Sequence, residues 1–208
     1  MRITSFVKTL NNTELGKGGT HDSYILVPSA DADVGRLFDE MNTPTVFVDR
    51  TTNKECVVRI IKYQNGEVRI PGLGPYFREK DLHAGDDVIL ERIDTQEVKR
   101  YISVRKHDNI IVLQKGSWGF KVLNDNRIRL LTNDVLIEGK TVELQYIVSK
   151  PLRSDSPEMT DYYDLFIDGK KITNNYKHNE LLEIVIDGEK SEMITPCNWR
   201  KYYINTEV

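Results

Sequence analysis

At 208 residues, with 39% hydrophobic and 29% charged side chains, the chain is long enough for one large cored domain or two small ones. No apolar run approaches the ~18 residues of a membrane-spanning helix, so a membrane is excluded as a partner. The net charge of −3 divides into zero over residues 1–106 and −3 over 107–208, which excludes a uniformly basic nucleic-acid binder.

The opening segment, "MRITSFVKTL", carries neither a long apolar stretch nor a small-residue cleavage site, and no signal peptide is expected. With Cys56 and Cys197 far apart, the chain reads as cytoplasmic and reduced. A glycine-rich loop follows in "TLNNTELGKGGTHDSYILVP" (9–28), running into a strand at Tyr24–Val27. Val34, Leu37, Phe38 and Met41 recur at helical spacing through "DVGRLFDEM", capped by Asp31 or Asp33 and ended at Asn42-Thr43-Pro44. Beyond this the pattern alternates in twos. "TVFVDR", "ECVVRIIKY", "EVRI", "DVILERI" and "RYISVRK" read as strands, with Asn65-Gly66 as a hairpin turn. In the second half, "NIIVLQ", "WGFKVLN", "RIRLLT", "DVLIEGKTVELQYIV", "DLFIDGKKI" and "LEIVIDGEK" continue the pattern, with turns at Glu138-Gly139, Asp168-Gly169 and Asp187-Gly188. Residues 149–161 read as a polar loop. The expected division is therefore 1–106 and 107–208, both rich in β structure.

The motifs exclude several chemistries. The glycine loop lacks the G-x-x-x-x-G-K-[ST] pattern, and no helix follows it to hold a phosphate. His21, Asp22 and Ser23 are consecutive, so their side chains do not converge as a triad would. Glu97-Val98-Lys99, Glu138-Gly139-Lys140 and Asp168-Gly169-Lys170 fit the (D/E)-x-K tripeptide of metal-dependent nucleases. The last two are turn sequences, and nothing upstream forms a convincing Pro-Asp partner. His21, His83, His107 and His178 share no ligand spacing with the cysteines. No metal or cofactor is expected, and no enzymatic activity. A second polar loop, within "GEVRIPGLGPYFREKDLHAGDDVILERI" (66–93), mixes Arg69, Arg78 and Lys80 with Tyr76, Phe77 and Glu79.

The two loops together carry a resemblance. "LNNTELGKGGTHDSYILVP" resembles the N-terminal effector domain of the EcoRII restriction endonuclease family, with Leu10, Glu14, Gly16, Gly19, His21 and Pro28 at matching positions. "LHAGDDVILE" is similar to the closing strand of plant B3 domains, which share that DNA-binding pseudobarrel. The likeness spans about residues 3–106. It implies a mostly β fold: a B3-like seven-stranded pseudobarrel with one or two short helices, then a second β-rich region. It also implies two arms that grip duplex DNA in the major groove. The N-arm would offer Lys8, Asn11, Asn12, Glu14, Lys17, Thr20, His21 and Asp22, and the C-arm Arg69, Tyr76, Arg78, Glu79 and Lys80. Those side chains hold the chemistry that reads guanine, adenine and cytosine edges. The implied function is site-specific binding of double-stranded DNA, as the target-recognition part of a restriction-modification system. A nuclease or NTPase subunit or domain would be its partner. Two alternatives stay open: a small Mg²⁺-dependent nuclease with a degenerate core in 107–208, and a protein-binding β module.

Overall fold

The computed structural model describes residues 1–17, 22–27, 32–124, 135–137, 139–151, 159–186, 192–194 and 199–205. The chain is mostly β and forms two compact units: Met1–Lys106 with Cys197–Val208, and His107–Pro196.

In the first unit the alternating segments become strands β1 (Arg2–Thr9), β2 (Tyr24–Val27), β3 (Thr45–Asp49) and β4 (Glu55–Val58). Next come β5 (Ile61–Lys62), β6 (Val68–Pro71), helix α1 (Gly74–Glu79), β7 (Asp87–Asp94) and β8 (Val98–Arg105). A last strand, Trp199–Asn205, pairs antiparallel with β1 along its length, Arg2 opposite Asn205 and Lys8 opposite Trp199. The expected second region, 107–208, therefore differs at its end: this strand belongs to the first unit. The other edge of β1 pairs with β7, so β1 is an interior strand of a six-stranded sheet. β2, β6 and β5 form a separate three-stranded sheet.

Both sheets contribute to one core, with Phe6, Ile25, Phe47, Ile70, Leu90 and Ile102 almost wholly buried. The hydrophobic period of two puts Phe6, Leu90 and Ile102 on one rung across β1, β7 and β8. The expected strand 55–63 divides into β4 and β5, which lie in different sheets. Nine described strands thus stand where the resemblance implies seven.

Two elements depart from the helical reading. The segment expected as a helix to Met41 is a short 3-10 helix, Ala32–Leu37, followed by bends. Arg92 and Arg100 donate to the carbonyls of Arg36 and Leu37, which a continuing α-helix would need for itself. Val34, Leu37 and Phe38 reach the core, while Met41 stays 47% exposed. Conversely, the stretch read as a broken loop around Pro75 contains α1, with a proline in its first turn where no N–H is needed.

The second unit contains β9 (Ile110–Lys115), β10 (Phe120–Val122), β11 (Val135–Ile137), β12 (Lys140–Pro151) and β13 (Met159–Ile167). β14 (Lys170–Lys171), β15 (Leu181–Val185) and β16 (Glu192–Ile194) complete it, and the final strand of the first unit is β17. The sheet order is β11-β12-β13-β10-β9-β15-β16, with β14 beside β13. Ile111, Leu113, Phe120, Leu165 and Ile184 fill its core. Asp168 and Gly169 both adopt positive φ, forming the tight hairpin that their sequence suggests. β12 and β13 extend into the stretch expected as a loop, Ser149 opposite Asp161 and Pro151 opposite Met159. The expected strand 127–132 and the turn at 187–188 lie outside the described residues.

Candidate nucleic-acid interface

The N-arm leaves β1 at Leu10, which is buried and exchanges backbone hydrogen bonds with Gly85 and Asp86. Asn11 and Glu14 then form a reciprocal box. Asn11 Oδ1 accepts from the Glu14 N–H at 3.0 Å, and Glu14 Oε2 accepts from the Asn11 N–H at 3.1 Å. Gly16, at φ 77°, closes the turn. The second carboxylate oxygen of Glu14 accepts from the Leu26 N–H of β2 at 2.9 Å, and Lys8 Nζ donates to Glu14 Oε2 at 2.9 Å.

Lys8 and Glu14 are 3% and 1% exposed, so neither presents its charge to a ligand. Both were expected to face DNA. Instead they form a buried ion pair that ties the end of β1 to the start of β2. Asn11 is spent largely on the same box. Asn12 Oδ1 is buried without a hydrogen-bond partner among the described residues. Lys17 and Asp22 are exposed. Thr20 and His21 lie outside the described residues.

The C-arm is built on Asp49, a residue the sequence did not single out. Asp49 Oδ1 accepts from the N–H groups of Thr51 and Thr52. Its other oxygen takes the Tyr76 hydroxyl at 2.7 Å and the Lys80 ammonium at 2.9 Å. Burial alone would raise this carboxyl. The hydrogen bonds from Tyr76, Lys80, Thr52 and Thr51 outweigh it and hold Asp49 well below the usual carboxylate range. Burial and the bond to Asp49 push the Tyr76 phenol upward. Tyr76 and Lys80 were expected on the DNA-facing side. Tyr76 is 8% exposed, and the Lys80 side chain is only 14% exposed; both anchor α1 to β3. Glu79 is exposed and pairs with Lys54 at 2.9 Å.

Arg69 is held on three sides. Its guanidinium lies 4.3 Å from the centre of the Tyr24 ring and 5.2 Å from that of Tyr63. Its Nε and Nη2 both donate to Glu67 Oε2. That bond draws the Glu67 carboxyl below its usual range. Glu67 occupies one side of the guanidinium, and Nη1 makes no hydrogen bond among the described residues. Arg78 is exposed and forms no ion pair among the described residues. Tyr24 and Tyr63 were not anticipated: alternation marks β2 as a strand, but only the pairing of β2 and β5 with β6 brings both rings to Arg69.

The arms meet at the end of the N-arm. A Cβ added to Gly74 would stand 3.2 Å from Ser23 Oγ and 3.3 Å from Arg78 Nη1, so glycine allows this close approach. Asp22, Ser23, Tyr24, Tyr63, Arg69 and Arg78 line one groove there. It presents two guanidinium groups, a hydroxyl, a carboxylate and an aromatic wall, a set able to donate to guanine and accept from cytosine.

No family model matches the sequence, and no curated protein matches it. Among solved structures, nine chains match. One is from the Arabidopsis FUS3-DNA complex, at 15% sequence identity and a TM-score of 0.39, over 48% of this chain and 94% of that one.

Proposed function

We propose that the first unit binds duplex DNA site-specifically through the groove between its two arms. The observation that carries this reading is the convergence of Asp22 and Ser23 with Arg69 and Arg78 on one groove. Residues 1–106 have no net charge, so phosphate attraction alone is a poor basis for binding. A pinned arginine beside an exposed acid favours reading of base edges instead. The acid repels phosphates and is useful where a cytosine amino group faces it.

The resemblance of both loops to the EcoRII effector-domain family supports a place in a restriction system. There the chain would recognise the target, and a separate nuclease or NTPase would act on it.

Selection of bound duplexes from a randomised pool, at about physiological salt and without Mg²⁺, tests the reading. Enrichment of one short motif is the expected result. Recovery of unselected DNA with strong salt dependence would reduce the arms to phosphate grips. No recovery would overturn the proposal in favour of a protein partner. Incubating the selected duplex with Mg²⁺ tests the division of labour, since intact DNA is expected.

A further inference from the structure

The sheet that carries the N-arm at one end of β1 holds a second polar cleft at the other end. β1 spans eight residues from Arg2 to Thr9, so the two ends stand roughly 20 Å apart. Arg2 lies opposite Asp94, Thr4 opposite Arg92, and Arg92 opposite Arg100. By the period of two, these side chains share the face of the Phe6–Leu90–Ile102 rung, just beyond the core. The 3-10 segment and Asp39 cover them, leaving a cleft of about 480 Å³ lined by Arg2, Thr4, Gly35, Arg36 and Arg92 among others.

The arginines are fixed before any ligand arrives. Arg92 Nε donates to Asp94 at 2.7 Å, and its Nη1 to Asp39 and to the Arg36 carbonyl, each at 3.1 Å. Arg100 donates to Asp39 and, at 2.9 Å, to the Leu37 carbonyl. Arg2, Arg92 and Arg100 stand against Asp39 and Asp94 around the cleft, leaving one positive charge in excess among these five. Three groups remain unused among the described residues: the Arg2 guanidinium, Arg92 Nη2 and the Thr4 hydroxyl. Thr4 is 3% exposed overall, its hydroxyl is on the cleft lining, and no hydrogen bond engages that hydroxyl among the described residues. An added Cβ at Gly35 would meet nothing within 4 Å, so this side of the cleft is open.

We propose that this cleft binds a phosphate group. Two guanidinium groups and a hydroxyl are donors only or donor-capable, and a phosphate oxygen set accepts from all three. The volume exceeds that of phosphate alone, so the source is inorganic phosphate or the phosphate of a mononucleotide-sized ester.

The test is an NMR titration of the full chain at constant ionic strength, following the amide signals of Thr4, Gly35 and Asp39. The probes are inorganic phosphate, adenosine 5′-monophosphate and adenosine. Saturable shifts with either phosphate-bearing probe and none with adenosine are expected; tighter binding of the monophosphate would identify an ester as the source. Arg2→Gln should weaken binding about tenfold or more, the loss of a charge-assisted hydrogen bond. Thr4→Val, close in shape, should weaken it several-fold. Arg78→Ala, in the other groove, should leave it unchanged, so the proposal stands or falls apart from DNA binding. Equal shifts with adenosine, no saturable shift with either phosphate-bearing probe, or full binding by Arg2→Gln would overturn it.

Discussion

Glu14 carries more of the N-arm than any other side chain, because both its oxygens are committed inside the protein. Its Oε2 holds Lys8 and the Asn11 N–H, and its Oε1 holds the Leu26 N–H. Glu14→Gln leaves the Lys8 ammonium buried beside a neutral amide, and breaking a buried pair in this way costs about 3 kcal/mol. Urea denaturation should show that loss, whereas an unchanged midpoint would mean that Lys8 finds water. Asp49 gives the pH counterpart. Its folded carboxyl is held below its unfolded value near 4, so its stabilisation is complete above that value and is lost as pH falls through the folded one. Asp49→Asn should therefore lower stability at neutral pH and flatten the acid limb below about pH 4. Urea midpoints taken from pH 2 to 7 check both effects. The sequence placed Glu14 in a polar loop and Asp49 in a strand, but did not show where either side chain points. The Asn11–Glu14 spacing is a capping-box signal and was open to reading. The link from Asp49 to Tyr76 and Lys80 joins residues far apart in the chain, which no local pattern encodes.

On the proposed reading, the arms would divide the work between a pinned cation and one without an ion pair among the described residues. Arg69, braced by Glu67 and two tyrosine rings, would read one base in that proposal, and the exposed Arg78 would contact a phosphate. Arg69→Ala should cost about 1–3 kcal/mol at a single base position, and Arg78→Ala should weaken all sequences alike and lower the salt slope by about one. Binding assays on a panel of single-base variants separate the two. In the second unit, the β9–β10 hairpin turns at Gly116–Gly119, with the Gly116 N–H bonded to the Gly119 carbonyl. A Cβ at Gly119 would lie 2.6 Å from the Tyr163 carbonyl oxygen. Gly119→Ala should therefore destabilise that unit by more than about 1 kcal/mol, visible in thermal melts. Strands were the most readable elements: β3 follows its alternation closely, and β9 was legible as a short apolar run. The short helices were not. Proline and glycine around residue 74 signal a break and a helix start equally well, and the segment to Met41 lost its helix to arginines arriving from β7 and β8.

At the scale of the chain, the junction near residue 106 was visible as a gap between two strand patterns, and the structure places a unit boundary there. The last strand was not read from the sequence: "WRKYYIN" has no period-two alternation, and nothing local says that its neighbour is β1. Pairing with β17 leaves β1 flanked on both sides. A chain ending at residue 196 should expose that edge, whose unpaired backbone groups favour association. Size-exclusion chromatography and thermal melting of the truncated chain are expected to show aggregation and a lowered midpoint; an unaltered monomer would show β17 to be dispensable.

The meeting of β1 with β17 also sets a clock on biosynthesis. A ribosome adding about 5–20 residues per second needs roughly 10–40 s between the two strands. Through that interval β1 has one edge unpaired, so the six-stranded sheet of the first unit closes only after the second unit has been synthesised.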